Sequence, residues 1–239
     1  MDSNKHRFFD YLGFDSKPVS HQEKIISATG GFIGIFCVYL ITHSLVGDEA
    51  AIFIVPSMGA TAVLVFAVPH STLGQIWNVL GGHLLSATIG VLCALMIADQ
   101  FLAAATSVGL AIAAMYYARC IHPPGGATAL AAVVGGESIQ SLGFAYLITP
   151  VTINVIAILV VAIVFNALFK WRRYPACLVQ SNISKPSASD NYAPIEHADL
   201  VYALSQIDTI IDVTEKDLLK IYQLATGREV LMPKESESP

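Results

Sequence analysis

Charge is what this sequence has least of. Only 13% of its 239 residues are Asp, Glu, Lys or Arg, about half the share found in ordinary soluble domains. The shortage is concentrated: from Ile25 to Phe169 the acidic and basic side chains are Asp48, Glu49, Asp99, Arg119 and Glu137 alone. A charge at the centre of a bilayer costs about 2.5 to 3.5 kcal/mol on insertion scales, so a stretch this empty of charge suits a membrane and not water. Catalytic groupings are missing too. The apolar region holds no paired carboxylates, no His-Glu-x-x-His pattern and no Gly-Lys-Ser/Thr phosphate loop, which argues against an enzyme and against ATP hydrolysis by this chain. The four cysteines, Cys37, Cys93, Cys120 and Cys177, include no Cys-x-x-Cys pair, so neither a disulfide framework nor a zinc site is implied, and no metal or cofactor is expected. A net charge of −5 without a basic stripe speaks against nucleic acid as a partner. The segment Met1 to Lys24 lacks the short apolar core and cleavage site of a signal peptide. It is expected to stay in the cytoplasm, with the first crossing acting as its signal.

What is present is apolar: 54% of the residues are hydrophobic and the mean hydropathy is +0.61. A helix needs roughly 20 apolar residues to span about 30 Å of hydrocarbon. Ile25 to Val46, Gln75 to Ile97, Phe101 to Ala118 and Leu142 to Phe169 meet that requirement. Two further apolar stretches, Ala51 to Val68 and Cys120 to Val134, carry Pro and Gly near their middles and read as broken helices. The expected fold is all-α: a polytopic helical membrane domain with four crossings plus two broken segments, or with six crossings. Lys5, Arg7, Lys17 and Lys24 precede the first crossing, and Lys170, Arg172 and Arg173 follow the last. By the positive-inside rule both termini face the cytoplasm of an inner (plasma) membrane. Four domains follow: residues 1–24, a cytoplasmic N-terminal segment; 25–173, the membrane domain; 174–194, a Ser, Asn and Pro-rich linker; and 195–239, a small helical cytoplasmic tail. In that tail Thr214 and Asp217 form a capping box, and Leu218, Leu219, Ile221, Tyr222 and Leu224 supply an apolar face.

An internal repeat is the most informative pattern. Pro56 to Ala62 reads PSMGATA and Pro123 to Ala129 reads PPGGATA, so the Pro and the Gly-Ala-Thr-Ala block coincide at a constant offset. Transporters are often built from such repeats, with substrate sites where unwound backbone and half-helix ends meet. Pro ends an incoming helix and Gly permits unusual dihedrals, leaving a following helix whose unpaired N–H groups attract anions. On this reading Met58, Gly59 and Ala60 form one such end and Gly125, Gly126 and Ala127 the other, with hydroxyls from Ser57, Thr61 and Thr128. The plainer reading is that Pro and Gly merely kink buried helices while Thr61 and Thr128 bond the preceding turn.

The run Ile121-His122-Pro123-Pro124-Gly125-Gly126-Ala127-Thr128-Ala129 resembles the signature of the HPP family of integral membrane proteins, named for its His-Pro-Pro tripeptide. The PSMGATA segment resembles that family's first block, and the likeness covers roughly Phe8 to Arg173. The resemblance implies four membrane-spanning helices and transport, with nitrite as the anion associated with some plastid and cyanobacterial members. His122 is a candidate for binding the anion or a proton, or for a simple cap. His83, Asn78 and Asn154 sit inside crossings and are expected to bond between helices. Arg119 can concentrate anions at one mouth or serve as a topology determinant, and His70 and Glu137 occupy equivalent places after the two blocks.

The expected function is a permease for a small inorganic anion such as nitrite, embedded in the lipid bilayer as a homo-oligomer, with a dimer the simplest form. The competing expectation is a membrane-anchored scaffold or sensor acting through its C-terminal tail. Replacing Gly126 or Thr128 is expected to reduce transport.

Overall fold

The computed structural model describes residues 19–180. The tail, its capping box and most of the linker and N-terminal segment lie outside the described residues. Among the described residues the secondary structure is helical, without strands. The first helical run, His21–Ala67, is interrupted by Gly47 at φ 76° and ψ 178°, a left-handed φ that glycine adopts without steric cost. The interruption separates α1 (His21–Asp48) from α2 (Ala51–Ala67). There follow α3 (Ile76–Met96), α4 (Gln100–Tyr117), α5 (Pro123–Val134), the short α6 (Gly136–Gln140), α7 (Ile153–Ala167) and the four-residue α8 (Cys177–Gln180). A π-helical turn, Leu147–Thr152, leads into α7 and is distorted at Thr149.

Among the described residues four helices are long and apolar enough to cross a membrane, His21–Asp48, Ile76–Met96, Gln100–Tyr117 and Leu147–Ala167, and they match the four expected crossings. The other two, α2 and α5, are shorter, about 25 Å and 18 Å long at 1.5 Å per residue. α2 nevertheless runs from one end of the bundle to the other, and α5 does so together with the segment 118–122 that precedes it and lies along the start of α3. At one end Phe66 receives a hydrogen bond from Arg172 and His122 bonds the carbonyl of Leu73 at 2.9 Å. At the other, Ile52 and Phe53 border a hollow together with Gly135, Gly136, Glu137 and Ser141, and Val133 packs with Cys93 and Ala103. Among the described residues, α1, α2, α3, α4, α5 and α7 thus alternate in direction along the bundle. The PSMGATA and PPGGATA segments therefore run antiparallel to each other, so the duplication is of the inverted kind.

One expectation about the repeat is corrected. Residues 51–67 form one helix that continues through Pro56, and the break falls at Gly47 instead. Pro56 sits early in α2, where its missing N–H deprives only the Ile52 carbonyl, close to the helix end, of an intrahelical partner. Met58, Gly59 and Ala60 are consequently interior helical residues, and no half-helix begins there.

The end of the bundle carrying Arg119 and Arg173 is tied by polar bonds. Arg172, 0% exposed, donates from Nε to Asn166 Oδ1 at 3.2 Å and from Nη1 to Ser27 Oγ at 3.2 Å, and also to the Phe66 carbonyl. Tyr174 donates to the Gly74 carbonyl at 2.7 Å. Burial pushes its phenol well above the ordinary range, so it remains a donor at any physiological pH. The Ala176 N–H bonds Gln75 Oε1 at 2.9 Å. These bonds clamp the turn between α2 and α3 to the segment after α7.

Candidate functional site: a buried threonine and histidine chain

The site begins with two glycines. Gly81 and Gly82 on α3 leave room for the segment after α4 to press against the helix: a Cβ at Gly82 would meet His122 Cβ at 2.5 Å, and one at Gly81 would meet Cys120 at 3.1 Å. That segment is held by Asn78 Nδ2 on the Ile121 carbonyl at 2.8 Å and Trp77 Nε1 on the Ala118 carbonyl at 3.2 Å. It leaves α4 through Arg119 at φ 53°, with the Cys120 N–H closing back on the Met115 carbonyl at 2.9 Å, a Schellman-type helix end. Gly125 extends the contact, since a Cβ there would lie 2.8 Å from Ser86 Oγ and 2.9 Å from the Gly82 carbonyl. Further along, Gly90 faces the Ala129 carbonyl, 2.5 Å from where a Cβ would stand.

This close approach places the next residue on α3, His83, between the matching threonines of the two repeats. His83 Nε2 lies 2.9 Å from Thr61 Oγ1 and its Nδ1 lies 2.7 Å from Thr128 Oγ1. Thr61 Oγ1 also lies 3.0 Å from His122 Nε2, and the two imidazoles meet edge to face with centroids 4.8 Å apart. All four side chains are 0–1% exposed. Tyr146 closes the far side, donating to the Thr128 backbone carbonyl at 3.1 Å. His83 is seven residues into α3, so the cluster sits about 10 Å from that end of the bundle.

Of the residues expected to form the site, Thr61, His122 and Thr128 come together. Ser57 stands one turn before Thr61; its carbonyl lies 3.1 Å from Thr61 Oγ1 and its own hydroxyl bonds the Ile54 carbonyl at 2.9 Å. Gly125, on α5, packs closely against Gly82 and Ser86 of α3, and Met58 belongs to the apolar core. Gly59, Ala60, Gly126 and Ala127 point away from the cluster and are half-buried or exposed. A Cβ at Gly126 meets nothing nearer than Val108 Cγ1 at 3.9 Å, whereas one at Gly125 would stand against α3. The expected anion-binding helix end at 125–127 is also depleted: Pro123 and Pro124 have no N–H, and the Gly125 N–H already bonds the His122 carbonyl at 2.8 Å. Sequence reasoning gave His83 an interhelical bonding role, which it has, but missed that it bridges both repeats. The available signal was its place directly after a Gly pair in an apolar helix.

His70 and Glu137, equivalent in the repeat, lie at opposite ends of the bundle, as inversion requires. His70 Nε2 is 3.3 Å from the Arg173 carbonyl, and Glu137 lines a hollow of ≈ 610 Å³ with Ile52, Phe53 and Ser141. Asn154 donates to Thr42 Oγ1 at 2.7 Å, joining α7 to α1.

Fold and site together define a polytopic helical membrane protein with an inverted repeat and an ionisable cluster inside the bundle. Residues 16–175 match the family described as HPP, transmembrane region, and the chain belongs to that family. It is similar to a transmembrane protein of Dictyostelium discoideum, 35% identical over 174 residues that make up 70% of this chain and 56% of that relative. A second Dictyostelium discoideum transmembrane protein is 35% identical over 148 residues, 60% of this chain and 52% of the relative. The chain thus spans about half the length of these curated relatives. No solved structure matches.

Proposed function

We propose that this chain is a permease for a small inorganic anion, with nitrite the first candidate, and not an enzyme. One observation carries the reading: the threonines of two inverted repeats converge on two buried imidazoles inside a bundle of apolar helices. Ionisable side chains at membrane depth are expensive to bury and mark substrate or proton pathways. Inverted-repeat carriers place their sites where the repeats meet. Nitrite offers acceptors only, and parting the hydrogen bonds between the threonines and the imidazoles would free hydroxyl and N–H donors for an ion of that size. Arg119, Lys170 and Arg173 gather at the end nearer the cluster, which suits a cytoplasmic mouth by the positive-inside rule and raises anion concentration there.

The test is uptake of isotopically labelled nitrite into proteoliposomes, with nitrate, chloride and formate as competitors. Saturable uptake is expected in the full chain, with at least a tenfold loss in His83→Ala and in His122→Ala at unchanged membrane insertion. Absence of flux for every anion, from inserted and folded protein, would remove the permease reading and favour a membrane-anchored scaffold.

A further inference from the structure

The hydrogen-bond roles in the cluster are fixed by one backbone carbonyl. His122 Nδ1 lies 2.9 Å from the Leu73 oxygen, which can only accept, so Nδ1 carries a hydrogen. In the neutral ring Nε2 is then bare and accepts from the Thr61 hydroxyl. Thr61 has a single hydrogen, so its second imidazole contact, at 2.9 Å, is one in which His83 Nε2–H donates. His83 Nδ1 is then the bare nitrogen and accepts the Thr128 hydroxyl at 2.7 Å. The result is one directed chain, Thr128 to His83 to Thr61 to His122 to the Leu73 carbonyl, in which the two histidines hold opposite tautomers. The Ser57 and Pro124 carbonyls, at 3.1 Å from Thr61 Oγ1 and 3.5 Å from Thr128 Oγ1, are the longer contacts of their hydroxyls.

We infer that this chain is a proton-binding relay in which Thr61 passes one proton between His83 and His122, so that anion transport is coupled to protons. The inference rests on the permease reading above. A proton arriving at Thr128 Oγ1 lets the Thr128 hydrogen move to His83 Nδ1, the His83 Nε2 hydrogen to Thr61 Oγ1 and the Thr61 hydrogen to His122 Nε2. Each N–H or O–H bond broken is matched by one formed, both threonines end neutral, and the positive charge has passed through His83 to His122. The Leu73 carbonyl cannot take the proton onward, so the chain stores a proton and does not conduct one straight through. Release at that end requires the turn Thr72–Gly74 to leave His122, and this makes Leu73 a gate. That behaviour is a carrier's and not a channel's. The imidazolium so formed also supplies the positive charge that an anion lacks in this bundle. The titratable neighbours are few: Cys120 beside Gly81, the Tyr146 hydroxyl on the Thr128 carbonyl, and Arg119, which is exposed. From α2 and the turn Thr72–Gly74 come the hydroxyls of Ser57 and Thr61 and the Leu73 carbonyl.

Two measurements on the full chain in liposomes test this. With trapped pyranine and labelled nitrite, wild-type protein is expected to move about one proton with each nitrite and to accumulate nitrite against its gradient when the pH gradient is imposed. In Thr61→Val the proton count per nitrite falls at least fivefold at whatever flux remains, and Thr61→Ser restores it. Nitrite flux in the wild type without proton movement overturns the relay but leaves the permease standing. No nitrite flux removes the permease reading, and the relay is then judged by ¹⁵N-histidine solid-state NMR. That spectrum of the wild type is expected to show one Nδ1–H and one Nε2–H imidazole lost, respectively, in His122→Gln and His83→Gln. Two rings of the same tautomer would overturn the relay by itself.

Discussion

Gly125→Ala is expected to lower the midpoint of thermal unfolding in detergent by about 6 to 12 °C, whereas Gly126→Ala leaves it unchanged or raises it slightly. The new methyl at position 125 stands 2.9 Å from the Gly82 carbonyl and 2.8 Å from Ser86 Oγ. The first of these is backbone of the facing helix, so relief requires α3 and α5 to move apart, which in turn separates His83 from Thr128. Overpacking of this kind costs about 3 kcal/mol at the upper end of its usual range, and a chain of this size loses roughly 2 to 4 °C per kcal/mol. Position 126 has open space, its nearest neighbour being Val108 Cγ1 at 3.9 Å. There the substitution only removes the entropic penalty of a helical glycine, about 0.5 to 1 kcal/mol. Gly82→Ala should behave like Gly125→Ala, because its methyl would meet His122 Cβ at 2.5 Å. Equal melting of the 125 and 126 variants would show that the two helices are not in backbone contact.

The second large effect is expected at Arg172. Truncation to Ala removes the donor that serves the Phe66 carbonyl at the end of α2, together with the bonds to Asn166 Oδ1 and Ser27 Oγ. Each buried acceptor left unpaired costs about 1 to 3 kcal/mol, so the loss is roughly 3 to 5 kcal/mol, within the range for disrupting buried charged networks. Asn166 keeps its own bonds from Nδ2 to the Val65 and Ala162 carbonyls, so the end of α2 loosens without the helix being lost. Arg172→Lys recovers less than half of the loss, because one compact ammonium cannot reproduce the fork that reaches acceptors on α1, α2 and α7. The same thermal assay decides it. A lysine variant as stable as the wild type would mean that charge, and not the planar geometry, holds this end together.

Much of the architecture was legible because membrane insertion is decided locally. A window of apolar residues crosses or does not cross largely on its own composition, and the four long helices appear where hydropathy puts them. The repeat was legible as identity between PSMGATA and PPGGATA, but its geometry was not. Sequence cannot say that Pro56 is absorbed near the start of a continuous α2 while Gly47 takes the break, since a proline's effect depends on where the helix begins. Nor can it say that the Pro pair at 123–124 removes the very N–H donors that a free helix end would offer.

By itself, then, the sequence determined that the chain is a helical membrane protein of duplicated design, with Thr61, Thr128, His83 and His122 among the polar residues of its apolar region. Tertiary structure alone decided that these meet. The cluster joins α2, α3, α5 and the segment before α5, and only the approach of helix backbones across Gly82 and Gly125 brings the imidazoles between the threonines. That approach is a property of facing surfaces, set by the absence of two Cβ atoms, and no periodicity along a single helix encodes it.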